Sequence, residues 1–245
     1  LLLWMYEMKL SKTSVWKSIF RSGKRAGKAY NVLLHLHPRS IEKKQLKFTT
    51  TFCMGGLTFL MFLVTIISGV FLMFFYVPEI GRAYRDMKDL EYVIFLGRFM
   101  RNIHRWSAHA MVVFVVLHMV RVFYQKVYRP PREFNWVIGV MCLILTFVLS
   151  FTGYLLPWDQ LSYWAITVGT NMLSYMPVIG AKGPISMVSG GSDIRSFILG
   201  GFSVGQNALL RFYVLHVLAL PLILMGFIMF HFWRVRKDNQ VKGQL

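Results

Sequence analysis

The residues of this chain best placed to do chemistry are four histidines at two matched spacings. His104 and His118 lie fourteen residues apart, His216 and His231 fifteen. On an α-helix, fourteen steps fall about 40° short of whole turns and fifteen overshoot by about 60°, so each pair keeps broadly to one face, its members about 21 to 22 Å apart. That rise puts one histidine near each edge of a hydrocarbon layer about 30 Å thick. If the two helices cross in the same direction, His104 meets His216 and His118 meets His231. Two facing imidazoles make a six-coordinate haem iron with no open position, which suits electron transfer rather than oxygen binding. A single membrane histidine is as readily a hydrogen-bonded packing residue. Four at matched depths differ, because each unpaired ring in hydrocarbon costs free energy and two shared metals satisfy all of them. His109 points about 140° away from His104 and reads as a non-ligand; His35 and His37 read as solvated.

Such histidines need spanning helices. The chain is 56% hydrophobic and only 16% charged, with a mean hydropathy of +0.50, which describes a membrane protein. Phe48 to Pro78, Phe134 to Trp158 and Phe212 to Trp233 carry no charge, and each reaches the roughly 20 residues that a crossing requires. A further apolar pattern runs from about Tyr92 to Tyr124, where Arg105 and Arg121 can snorkel. The predicted fold is all-α: a four-transmembrane-helix bundle, with spans at about 48–78, 92–124, 134–158 and 208–234, enclosing two stacked haems within residues 48–237. Residues 1–47 read as a basic N-terminal segment with an amphipathic interfacial helix, and 238–245 as a tail. The connection 159–206 is too long for a turn and should fold over the outer face as short helices, broken at Pro177, Pro184, Gly190 and Gly191.

Charge orients the bundle. The 28 Lys and Arg against 10 Asp and Glu give +18, but they sit outside the apolar runs, so an anionic membrane face rather than nucleic acid is the expected partner. Residues 1–47 hold eleven basic and two acidic residues, Arg121 to Glu133 four and one, and 234–245 four and one. These segments share the cytoplasmic side, both termini are cytoplasmic, and the second and fourth spans run parallel. Cys53 and Cys142 form no C-x-x-C, which argues against a disulfide framework or zinc site, and no cleaved secretory signal is visible.

A haem plate needs room. Gly55 and Gly69 in the first span, and Gly139 and Gly153 in the third, repeat the fourteen-residue interval in register with the histidine layers. Close helix packing is the common reason for membrane glycines, but the repeat favours haem packing, since a backbone without Cβ lets a porphyrin edge approach. Arg101, Arg121 and Arg211 lie near the histidines, where a guanidinium can pair with haem propionates; snorkelling is the competing reading, and it holds for Arg105.

The segments Phe52-Cys53-Met54-Gly55-Gly56, Arg101-Asn102-Ile103-His104-Arg105-Trp106-Ser107-Ala108, His118-Met119-Val120-Arg121-Val122, Arg129-Pro130-Pro131-Arg132-Glu133, Thr152 to Gln160 with its Pro157-Trp158-Asp159-Gln160 turn, and Val204-Gly205-Gln206 leading to Arg211 and His216 together resemble the cytochrome b6 type of subunit in b6f and related bc complexes. The resemblance covers roughly Lys47 to Lys237. The fifteen-residue spacing in the fourth span is similar to the b6 type; mitochondrial cytochrome b typically has fourteen. A Pro-Glu-Trp-Tyr motif, carried by longer members in further helices, is absent, which implies a split protein completed by a separate subunit IV-like chain. The longer basic start and Thr170-Asn171-Met172-Leu173-Ser174, which looks more like the bc1 branch, depart from the b6 pattern.

What the resemblance implies is a quinol oxidoreductase of the quinol:cytochrome c or plastocyanin class. Its electrons run from outer quinol oxidation, through two b haems, to inner quinone reduction in a Q cycle, with a Rieske iron–sulfur protein and a c-type cytochrome subunit as partners in a dimeric complex. The bacterial cytoplasmic membrane is the expected location and the thylakoid the alternative. The outer quinol pocket should border Pro157, Trp158, Trp164 and Ala165; an interfacial aromatic belt is the competing reading. Cys53 lies at the depth of the cytoplasmic-side haem beside Gly55 and Gly56. A lone membrane cysteine is usually a packing residue, as Cys142 is read, but b6-type proteins carry one here, bonded by a single thioether to a c-type haem. Arg236 belongs to the cytoplasmic rim, beside the quinone-reduction pocket and haem propionates. A dihaem anchor of a quinone-linked dehydrogenase shares the four-histidine logic and remains the alternative.

Overall fold

The computed structural model describes residues 52–130 and 132–240. The amphipathic segment expected over 1–47 and the last residues of the tail lie outside them. Every regular element among the described residues is helical. In chain order these are α1 (Met54–Met73), α2 (Ala83–Tyr92), α3 (Gly97–Tyr124), α4 (Glu133–Leu155), α5 (Gln160–Leu173), α6 (Ile194–Leu199), α7 (Gln206–Val214), a π-helical turn (Leu215–Ala219) and α8 (Leu220–Gln240). α1, α3, α4 and the run from Gln206 to Arg236 are long and apolar enough to cross a membrane.

α1 packs chiefly against α3, and α4 against α8. The four meet in a core of Phe62, Met111, Leu149, Leu220 and Leu224, against which Phe59, Ile66, Cys142 and Leu145 pack. Met111 is seven residues from both His104 and His118, and Phe62 seven from both Gly55 and Gly69, so this core plugs the middle of the bundle between two layers. Cys142 is one of its packing residues, in keeping with its apolar setting.

The second long helix begins at Gly97, later than the Tyr92 that its apolar pattern suggests. Tyr92 instead closes α2, whose sequence is amphipathic and charged. Leu96 between them is left-handed, at φ 59°, and a Cβ on Gly97 would collide with the Leu90 carbonyl, so only glycine lets the chain turn this tightly.

The end of the bundle that the charge bias makes the expected outer one is tied by hydrogen bonds. Tyr76 donates to the Leu156 carbonyl at 2.6 Å. The Gln206 amide accepts from Ile80 N at 3.0 Å and donates to Pro78 O at 2.7 Å, so one side chain clamps the loop after α1 to the start of α7. The connection 159–206 folds as α5 and α6 with irregular chain over Pro177, Pro184 and Gly190–Gly191. Asp159 caps α5, accepting from Ser162 N at 2.8 Å, and Asp193 caps α6, accepting from Ser196 N at 3.1 Å. The Ser196 hydroxyl and amide on the Asp193 carboxylate hold its pKa below the ordinary aspartate value.

Candidate functional site

Because α1 and α3 are antiparallel, as are α4 and α8, the fourteen-residue glycine interval is read backwards against the histidines. A Cβ built on Gly69 would lie 3.2 Å from His104 Cε1, on Gly55 3.2 Å from His118 Cε1, on Gly153 2.5 Å from His216 Cε1 and on Gly139 3.5 Å from His231 Cε1. Each glycine therefore faces one imidazole. Sequence reasoning expected these glycines to clear space for a porphyrin edge; in the structure each of them also lets its facing histidine ring approach bare backbone edge-on.

The rings of His104 and His216 face one another with centroids 6.2 Å apart and planes at 72°. His118 and His231 are electrostatic neighbours at the other end. The unequal spacings are reconciled by the π turn. Pro221 has no N–H, which frees the Val217 carbonyl inside that turn, and a π turn takes up one residue more than an α turn. Fifteen residues in the fourth span thus match fourteen in α3, and both histidines stay on one face.

The outer rings are oriented by hydroxyls and carbonyls. His104 Nδ1 is 3.1 Å from Ser68 Oγ, and His216 Nδ1 is 3.2 Å from Thr152 Oγ1 and 3.1 Å from Leu149 O. Sequence reasoning missed both hydroxyls, though the signal was there: in the outer layer alone, each glycine follows a serine or threonine.

Among the described residues no three His, Cys, Asp or Glu side chains converge; the histidines come together two by two. Opposed imidazole pairs, with the remaining positions unsupplied, fit a metal that brings its own planar ligand, as haem does.

The other expected residues divide. Cys53 caps α1 in a left-handed conformation at φ 53° and is exposed; a Cβ on Gly56 would reach its Sγ at 2.9 Å, so glycine keeps the thiol clear. It lies two residues from Gly55, hence in the His118/His231 layer. The Arg121 guanidinium lies over the Phe52 ring at 4.8 Å, and Arg236 is exposed five residues past His231. Arg101 instead donates to Glu91 at 2.6 Å, and Arg98 pairs with the same carboxylate at 3.2 Å. Arg211 donates to the Phe197 carbonyl and lines an outer cavity of about 320 Å³ with Asp193, Ser196 and Gly200, a cavity that sequence reasoning missed. Trp158, left-handed at φ 53°, packs with Ala165 and Leu156, whereas Trp164 is 57% exposed and donates to Gln160 Oε1 at 3.2 Å. Trp164 is joined to Trp158 through the Tyr163 ring, which meets the two edge to face at 5.5 and 6.4 Å.

Residues 42–239 match the family model described as cytochrome b/b6/petB. The chain belongs to the cytochrome b/b6 family. It is 42% identical over 185 residues to the cytochrome b6 of Heliobacterium modesticaldum, covering 76% of this chain and 82% of that one. Against the cytochrome b6 of Gracilaria tenuistipitata var. liui the figures are 39% over 194 residues, 79% and 85%. A solved chain of a hyperthermophilic respiratory complex III superposes with a TM-score of 0.67 at 32% identity over 77% of this chain, and the chain spans only 48% of that one. As in the cytochrome b/b6 family generally, b-type haem and an integral membrane location are properties of this chain.

Proposed function

We propose that this chain is the cytochrome b6-type subunit of a quinol oxidoreductase, with His104 and His216 holding an outer b haem and His118 and His231 an inner, cytoplasmic-side one. The observation that carries this reading is the two-by-two meeting of histidines, each backed by its own glycine. When bound, the two haems supply a one-electron relay across the membrane between outer quinol oxidation and inner quinone reduction, as in a Q cycle. The chain's residues do the rest. Gly55, Gly69, Gly139 and Gly153 let the rings seat against backbone, and the Phe62/Met111/Leu149/Leu224 core keeps water and ions out of the middle, where one charge moved through 100 mV is worth about 2.3 kcal/mol. Arg121 and Arg236 face propionates on the inner rim, and Arg211 on the outer rim with the guanidinium donors that Phe197 leaves over. Arg101, which shares the Glu91 carboxylate with Arg98, contributes less. Pro157, Trp158 and Ala165 border the quinol pocket, with Trp164 at its exterior.

A subunit IV-like chain, a Rieske iron–sulfur protein and a c-type cytochrome complete the enzyme, which works as a dimer in a bacterial cytoplasmic membrane. A redox-difference spectrum of the purified complex, with its subunits identified, tests this. A reducible b-type band and a copurifying Rieske protein are expected; a chain without such a band would overturn the reading, and a soluble dehydrogenase in place of the Rieske protein would favour a dehydrogenase anchor.

Cys53 carries a covalent c-type haem by a single thioether, its exposure and the bare Gly56 leaving room for the bond. On a denaturing gel the chain should keep haem-dependent peroxidase stain, and Cys53→Ala should lose it while both b haems remain. An unstained wild-type band would leave a two-haem protein. Topology has its own check: cysteine substituted at Ser192 should be labelled from outside whole cells and cysteine at Lys237 protected. The reverse pattern would invert the orientation that the basic bias indicates.

A further inference from the structure

The short run 76–80 between α1 and α2 is fixed to three other parts of the molecule. The Tyr76 hydroxyl donates to the Leu156 carbonyl at 2.6 Å, Val77 N donates to the buried Asp86 carboxylate at 2.9 Å, and the Gln206 amide bonds both Pro78 O and Ile80 N. The run is thereby tied to the end of α4, to α2 and to the start of α7. Chain whose polar groups are so committed is a rigid strap rather than a free connection.

The place it holds at the end of α4 is an unusual piece of backbone. Pro157 has no N–H to offer the Gly153 carbonyl, and Leu156 N closes on that carbonyl instead, at 3.3 Å. The Leu156 carbonyl lies past the helix end, where a partner must come from elsewhere, and Tyr76 supplies it. Two residues on, Trp158 is left-handed at φ 53°, a conformation that a bulky residue keeps only where its surroundings hold it. The far side of the turn is held by the Asp159 cap, which accepts from Ser162 N.

Tyr76 reaches the same turn through its ring. Leu156 and Trp158 pack into two apolar clusters at once, one that contains Ala165 and one built on Tyr76, Ala83 and Leu209. Tyr76 is itself buried and stacks on Tyr213 with centroids 5.7 Å apart. One side chain therefore fixes the turn twice, its backbone by the hydroxyl and its tryptophan by the ring.

We propose that Tyr76 is a positioning residue for quinol oxidation, carrying the fixed position of the 76–80 strap to the Leu156–Trp158 turn and so setting one wall of the quinol pocket. The role rests on the reading that Pro157, Trp158 and Ala165 border that pocket. Tyr76 takes no part in proton or electron transfer, because its one hydroxyl proton is committed to the Leu156 carbonyl. An anchor behind a pocket wall acts on bound substrate and transition state alike, so its loss is read in the half-saturating quinol concentration and not in the limiting rate.

Reduction of the complex's own c-type cytochrome by duroquinol, followed in the intact purified complex over a range of duroquinol concentrations, tests this. Tyr76→Phe keeps the ring and removes the hydroxyl. Its half-saturating concentration should rise about fivefold, the factor that one intramolecular hydrogen bond is worth, with the limiting rate within about twofold of wild type and both b bands undiminished. Tyr76→Leu removes the ring as well and should raise it further. Gln206→Leu releases the strap at its other end and should act in the same sense. Trp158→Ala alters the wall directly. If Trp158→Ala shifts the half-saturating concentration and Tyr76→Phe does not, the proposal is overturned and the pocket reading stands; if neither shifts it, the pocket reading fails and takes the proposal with it. A Tyr76→Phe complex whose limiting rate or b bands fall while half-saturation holds has lost a general structural support, which overturns the proposal too. Should neither Tyr76 variant assemble, Gln206→Leu decides: a wild-type half-saturating concentration overturns the proposal.

Discussion

Replacing His231 with leucine should leave a protein holding one b haem instead of two, with the His104/His216 haem spectrally intact. The expectation rests on the separation of the layers: the Phe62, Met111, Leu149 and Leu224 side chains fill the space between them, and effects of changes without shared partners add nearly independently. His118→Leu should remove the same haem as His231→Leu, and His104→Leu or His216→Leu the other. Pyridine haemochrome counting of haem per chain is the measurement. Loss of neither b haem in both inner variants, or loss of both in either one, would contradict the pairing.

The second large effect is expected at Gly153. Glycine to alanine within a helix ordinarily stabilises by about 1 kcal/mol, so any loss reports a clash and not propensity. At Gly153 the new Cβ would stand 2.5 Å from His216 Cε1, where the ring must move; at Gly55 and Gly69 it would stand 3.2 Å from its histidine, and at Gly139 3.5 Å from His231 Cε1, an ordinary contact. Gly153→Ala should therefore strip most of the outer haem, Gly55→Ala and Gly69→Ala should weaken retention of the inner and outer haem respectively, and Gly139→Ala should keep its haem within about twofold of wild type. Equal loss in all four would show that the glycines serve helix packing alone.

The site was more legible in the sequence than its surroundings. Histidine and glycine intervals are periodic signals, and a helix converts them directly into faces and depths. The pairing of each glycine with a particular ring was not legible, because it depends on which helices are antiparallel neighbours. α2 was also missed: Ala83-Tyr84-Arg85-Asp86-Met87-Lys88-Asp89-Leu90-Glu91-Tyr92 is dense in charged residues and reads as loop until its buried Ala83, Asp86 and Leu90 are seen to share one side. The early start read for the second span has the same origin, since Tyr92, Val93, Phe95 and Leu96 are apolar but belong to the end of α2 and the turn after it. Arg101 reads as a propionate partner because it lies three residues from His104, and its pairing with Glu91 becomes visible only once the turn after α2 brings that carboxylate to it. Trp164 and Trp158 lie close together in the chain, but that their rings are joined through Tyr163 is visible only in the structure.

The π turn at Leu215–Ala219 also bears on how this protein and its relatives diverged. A wide turn lets a helix hold one additional residue without re-phasing the turns after it, so the fifteen-residue interval between His216 and His231 is absorbed locally. A chain with fourteen residues there can run as unbroken α-helix and present the same two histidines to the same partners. A difference of one residue at this place then needs no change of architecture. The turn falls beside Pro221, whose missing N–H already costs the fourth span a backbone hydrogen bond.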